Sequence, residues 1–159
     1  MSSYSHTFGA DVATDRYRLT WPVLLADTQK ILLAVGQLGI GLCGPDGFGA
    51  PVLDTLSGIA VNGDAATGRH GTPLLLSPPL VQGRSVPPRT GTCHTRRERY
   101  DLAVTAVLLR AQVLLGDDFA VRSSGRWDVE WNEGPRRGLP GARQLVTELF
   151  GGVPSRSPL

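Results

Sequence analysis

Apolar residues recur at helical spacing from Thr20 onward. Trp21, Leu24, Leu25, Ile31, Leu32, Val35 and Leu38 fall on one side of a helix, and Asp27, Lys30 and Gln37 on the other. Thr20 suits the N-cap, Pro22 fits a first turn whose N–H groups have no partners, and Gly39 supplies a left-handed stop. Four short runs follow at 40–43, 50–53, 59–61 and 72–76. They are punctuated by Pro45-Asp46-Gly47 and Asn62-Gly63-Asp64 and predict an antiparallel meander. Residues 77–92 contain four prolines and two glycines with no periodicity, which predicts a mobile surface loop.

Helical signals resume at Thr95, whose spacing to Glu98 matches a capping box, and run to Leu115 and the stop at Gly116. Apolar residues wrap almost the whole of this second helix, leaving Asp101, Thr105 and Gln112 as a narrow polar strip. Such a helix lies at the centre of the core or is covered by a second subunit. Residues 119–122 read as a strand, 127–131 as its partner or an ordered loop, and Pro140 opens a last short helix ending at Gly151. The expected architecture is α+β: a small antiparallel sheet of four to six short strands packed against two main helices and a short C-terminal helix. Residues 1–19 are expected as a flexible arm, 20–151 as one domain and 152–159 as a tail.

Length and composition narrow the functional classes. A chain of 159 residues with 16 basic and 14 acidic side chains is one domain of net charge +2, with no overall field directed at nucleic acid or a membrane surface. Its longest apolar run, 102–115, is shorter than the roughly 20 residues that a bilayer requires. The first fifteen residues lack a secretory pattern, so a cytoplasmic setting is expected. Cys43 and Cys93 form no disulfide framework and no paired zinc motif, and zinc recruiting Cys43, His70, Cys93 and His94 would need spacings not found in known sites. No metal and no cofactor are called for, and no residue stands out as catalytic.

Candidate chemistry gathers in two places. At the expected start of the second helix, His94, Thr95, Arg96, Arg97 and Arg99 set guanidinium groups against the positive end of a helix dipole, a conflict that a bound anion would remove. Arg126 and Trp127 are assigned to the same site, where guanidinium and aromatic surfaces would grip a phosphate-bearing nucleotide or nucleic acid. The bland alternative is that these arginines reach water or pair with Glu98, Asp101 or Asp128. In 127–131, strand alternation would place Asp128 and Glu130 on one face, as an acidic pair able to share a cation or divide acid and base roles. The clusters Arg96-Arg97, Arg122 with Arg126, and Arg136-Arg137 form a basic strip only if the fold brings them together.

Gly44-Pro45-Asp46-Gly47, Asn62-Gly63-Asp64-Ala65, Cys93 with Thr95 and Tyr100-Asp101, the stretch 123–128, and Leu149-Phe150-Gly151 together resemble a group of small uncharacterised proteins of actinobacteria and their phages. The chain departs from the group's pattern at Thr72, His94 and Ser124. The resemblance implies no activity and suggests a mobile-element setting. The expected function is a non-enzymatic accessory or binding protein that engages an anionic partner and associates with itself. The alternatives are a small enzyme acting on a phosphate-bearing substrate and a structural self-assembling subunit.

Overall fold

The computed structural model of the chain describes residues 4–80 and 87–159. Residues 1–3 of the expected arm and 81–86 of the expected loop lie outside the described residues. The elements run β1 (Ser5–Ala10), α1 (Asp15–Gln37), β2 (Val52–Asp54), β3 (Gly58–Val61), β4 (Leu74–Leu76), β5 (Arg89–His94), α2 (Asp101–Leu115), β6 (Phe119–Ser123), α3 (Glu130–Glu133) and α4 (Ala142–Phe150). Six short antiparallel strands and four helices make an α+β fold, as expected, but the strands divide into two sheets, β5-β1-β6 and β2-β3-β4.

The expected N-terminal arm is instead structured. β1 is the central strand of its sheet, with Ser5 opposite His94 on one side and His6 opposite Ser123 on the other. His6, Phe8 and Ala10 turn inward, while Thr7 is exposed. β5 in turn occupies the last part of the expected Pro/Gly-rich loop. Gly91 belongs there because a β-carbon would strike the Phe8 ring beneath it. The meander has three strands, since residues 40–43 contribute only one bridge, Cys43 with Asn62.

α1 begins six residues before the expected start. Thr14 is the N-cap, its hydroxyl accepting from the Tyr17 N–H. Pro22 is therefore interior, where it cannot donate to the carbonyl of Arg18, an exposed residue on the solvent side. Tyr17, Trp21, Leu24, Thr28, Ile31 and Val35 form the buried stripe. Asp27, expected on the wet face, is buried and pairs with Arg110 of α2 at 2.8 Å. α1 and α4 both pack on α2, and β6 packs on it as well. Eleven residues of α2 are buried, Asp101 and Thr105 among them, so its all-round apolar surface is consumed within the chain. No helix among the described residues is long and apolar enough to cross a membrane.

Candidate functional site

The arginines expected on the first turn of the second helix stand ahead of it. After β5 the chain makes a tight turn with Arg96 and Arg97 in the left-handed region, φ 55° and 56°, so no helix propagates through them. α2 starts only at Asp101, and the capping box does not form. The Thr95 hydroxyl donates instead to Asp101 Oδ1 at 2.6 Å. The N-terminal turn of α2 thus holds a carboxylate of its own, the sign its dipole favours, and the supposed conflict between arginine and dipole disappears.

That carboxylate anchors a buried network. Asp101 Oδ1 lies 2.6 Å from His6 Nε2, and His6 Nδ1 lies 2.7 Å from the Ser123 hydroxyl. Ser123 Oγ also accepts from Trp131 Nε1 at 3.0 Å and the Gly125 N–H at 2.8 Å. These two donors occupy both lone pairs, so the hydroxyl proton goes to His6 Nδ1 and Nε2 donates to Asp101. Serine, histidine and aspartate in sequence contact have the outline of a nucleophilic triad, but here the serine oxygen has no lone pair left for a substrate and the other two residues are wholly buried. The network joins β1, α2, β6 and α3. His6 escaped the sequence reading because a buried histidine in a short, glycine-containing strand looks like a polar terminus.

Arg96 donates to the carbonyls of Gly68 and His70. Arg97 lies over the Tyr4 ring, 4.7 Å from its centroid, and 3.5 Å from Glu130. The backbone N–H of His94 donates to the Thr72 hydroxyl oxygen at 2.7 Å. The segment 127–131, expected as a strand or an ordered loop, is a turn leading into α3, so the period-two alternation of a strand does not apply. Trp127 and Trp131 are buried, Asp128 pairs with Arg143 at 2.8 Å, and Glu130 accepts from the Arg126 N–H at 2.7 Å. The expected acidic pair is thus split between different arginines. Trp127 is covered by Arg143, 4.5 Å from its ring centroid, and offers no stacking face. Among the described residues no three His, Cys, Asp or Glu side chains are grouped to hold a metal ion.

Of the expected anion site, Arg99 alone faces a concavity. It lines an open cleft of about 520 Å³ with Arg69, Arg136, Arg137 and Glu98. Arg136 is tied down, donating to the Arg97 carbonyl at 2.7 Å and reaching Glu98 at 3.4 Å. Among the described residues no carboxylate oxygen lies within 4.0 Å of Arg69, Arg99 or Arg137. The third arginine cluster, Arg136-Arg137, thus converges with Arg99, whereas Arg122 of the second lies on the open face of the β1 sheet. Arg69 is not among the residues expected at the site, and nothing in its local sequence pairs it with positions thirty and sixty-eight residues away.

The frame of the cleft is built by Asn62. Its amide donates to the carbonyls of Pro45 and Gly71, both at 3.0 Å, and its oxygen accepts from the N–H groups of Gly63 and Gly71 at 2.8 and 3.0 Å. All four capacities of the buried side chain are used. Gly63 and Gly71 admit Tyr100 between them, since a β-carbon on Gly63 would meet Tyr100 Cδ1 at 2.6 Å and one on Gly71 its hydroxyl at 2.5 Å. Asp64 caps the one-turn helix Ala65–Thr67, and Gly68, φ 70°, ends it and delivers Arg69. The Ala65 N–H donates to the Gly47 carbonyl at 3.0 Å, which packs the two Gly/Asp motifs together. No family model, no curated protein and no solved structure matches the chain.

Proposed function

We propose that this chain is a non-enzymatic binding protein that takes a phosphate-bearing partner, nucleotide or nucleic acid, in the cleft formed by Arg69, Arg99 and Arg137. The observation that carries the reading is the meeting of three guanidinium groups without carboxylate partners around one concavity. Guanidinium forks match phosphate oxygens in charge and geometry. None of the concavities described is lined by His94, Asp128 or Glu130, which removes the support for an enzyme built on those groups. A cytoplasmic setting is proposed with it, supported by two cysteines that remain free thiols. The mobile-element role is proposed on the resemblance alone.

The test is a titration of the protein with inorganic phosphate, followed by nuclear magnetic resonance, at low and high salt. Shifts confined to the Arg69, Arg99 and Arg137 region, weakened by salt and lost in Arg99→Ala with Arg137→Ala, are expected. Arg96→Ala is expected to leave binding intact, because Arg96 is spent on backbone carbonyls. Absence of phosphate binding, or binding indifferent to the Arg99 and Arg137 changes, overturns the reading.

Self-assembly has one specific support. Leu19, Val23 and Leu33, at 73%, 47% and 62% exposure, lie along the outer side of α1 at helical spacing. A homo-oligomer formed through that stripe is the second reading.

A further inference from the structure

The arginine cleft adjoins a second, smaller concavity of about 210 Å³, and Thr67, Arg69 and Arg99 line both. The two differ in chemistry. The cleft is walled by four arginines, with one carboxylate, Glu98, that is paired with Arg136, whereas the chamber adds to the shared residues Gly39, Gly41 and Gly63, Ile40, Tyr100 and Asp64, whose carboxylate has no arginine partner among the described residues. It is also the more enclosed of the two.

A phosphate is drawn to the arginine end and repelled from Asp64. What suits the chamber is a neutral group with hydroxyl or amine donors. Asp64 Oδ1 accepts from the Ala66 N–H at 3.0 Å, and Oδ2 has only the Thr67 hydroxyl at 3.3 Å, so each oxygen keeps acceptor capacity. We infer that the ligand is a small phosphate monoester of the nucleoside monophosphate class. Its phosphate lies among Arg69, Arg99 and Arg137, and its hydroxyl-bearing neutral part lies in the chamber against Asp64. This rests on the phosphate-binding reading of the same cleft and adds the other half of the ligand.

A nucleic-acid strand fits these observations less well. Strand-binding surfaces combine a basic track with exposed aromatic faces on which bases stack. Here Tyr100 and all three tryptophans are buried, and Phe48, the exposed aromatic, lines neither concavity. A strand would also use the open arginine cleft and leave the enclosed chamber empty.

Gly41 provides a clean block. Its φ is not positive, and a β-carbon there would meet Asp64 Cβ at 3.6 Å, an ordinary contact, so Gly41→Leu fills the chamber without disturbing backbone. Asp64→Asn removes the charge and keeps a residue that caps helices well.

The experiment is calorimetric titration of the whole chain with inorganic phosphate, adenosine 5′-monophosphate and a short oligothymidylate. Adenosine monophosphate is expected to bind about tenfold or more tightly than phosphate, the gain from one or two hydrogen bonds to a charged group. Gly41→Leu and Asp64→Asn are each expected to reduce it to the phosphate level, with phosphate binding unchanged in the first and no weaker in the second. Arg99→Ala with Arg137→Ala is expected to abolish both. If phosphate binds at the arginines but the monophosphate binds no tighter, or the Gly41 and Asp64 changes leave its advantage intact, this inference fails and the phosphate site stands. If the oligothymidylate binds best and ignores Gly41→Leu, the strand is the ligand and this inference fails. If no probe binds, both readings fall.

Discussion

His6 Nε2 and Asp101 Oδ1 meet at 2.6 Å across 95 residues of chain, each residue no more than 1% exposed. The contact fastens the centre of one sheet to the first turn of the central helix. Thr95 shares the same carboxylate oxygen, so Asp101 serves two donors, one from β1 and one from the turn after β5.

Replacing Asp101 by Ala therefore strands a buried imidazole N–H and a buried hydroxyl. A loss of about 2–6 kcal/mol is expected, about 1–3 kcal/mol for each of the two buried donors left without a partner. Thr95→Ala, which removes one donor, is expected to cost about 1–3 kcal/mol. Urea unfolding measures both as a fall in midpoint at constant slope. An Asp101→Ala protein as stable as the parent would show that the network contributes nothing.

The three tyrosines, Tyr4, Tyr17 and Tyr100, are all buried, and burial pushes each phenol above its ordinary value of 10.0. For Tyr4 and Tyr100 the Asp101 charge adds to the effect. Burial does the same to the Cys93 thiol, ordinarily 9.0, with Asp101 again adding to it. Raised acids stay protonated in the folded chain while the unfolded chain gives up its protons, so their contribution is complete below pH 9 and is lost as the pH climbs. Each group removes about 1.4 kcal/mol per pH unit above its unfolded value. Tyrosinate absorbance is expected to rise in one step, together with the loss of tertiary structure. Any tyrosine titrating near pH 10 in the folded protein contradicts this.

Gly63 and Gly71 carry no side chain because backbone stands in the way: a β-carbon would strike the Arg69 carbonyl at one and the His94 carbonyl at the other. Gly63→Ala and Gly71→Ala are expected to destabilise by several times the ordinary Gly-to-Ala effect of about 1 kcal/mol, and in the opposite sense. Gly152→Ala, which meets nothing within 4 Å, is the control and is expected to be neutral in thermal unfolding.

On the outer side of α1, Leu19→Glu with Leu33→Glu is expected to convert any oligomer to monomer in sedimentation analysis and to leave folding unchanged, since both side chains are exposed. A wild-type chain monomeric at high concentration removes the self-assembly reading.

How far the sequence could be read depended on the range of the interactions involved. The buried stripe from Trp21 to Val35 is local and periodic, and it was legible. The start of α1 was misplaced because Pro22 looks like a first-turn residue, although the Thr14 hydroxyl and an exposed Arg18 make a proline tolerable one turn deeper. Thr95 and Glu98 have the spacing of a capping box, but the left-handed pair Arg96-Arg97 breaks the helix before it can form. β1 has strand alternation, yet its inward positions begin with His6, whose apolar-like burial depends on Asp101 and Ser123 far along the chain. For the site, Arg99 and the 136–137 cluster were visible as residues. Their convergence with Arg69 was not, because it is set by the long-range contacts of Asn62 and Tyr100.

The central place of β1 has a consequence for synthesis. The ribosome makes Ser5–Ala10 before everything it pairs with, and the register Ser5 with His94 and His6 with Ser123 requires the chain through β6. Until then the nascent strand exposes two unsatisfied edges, and the β2-β3-β4 meander, a separate sheet, gives it no partner. Closure of the first sheet is thus a late, long-range step, the kind that slows folding and leaves strand edges open to wrong partners. The earliest strand to be made is among the last to be placed.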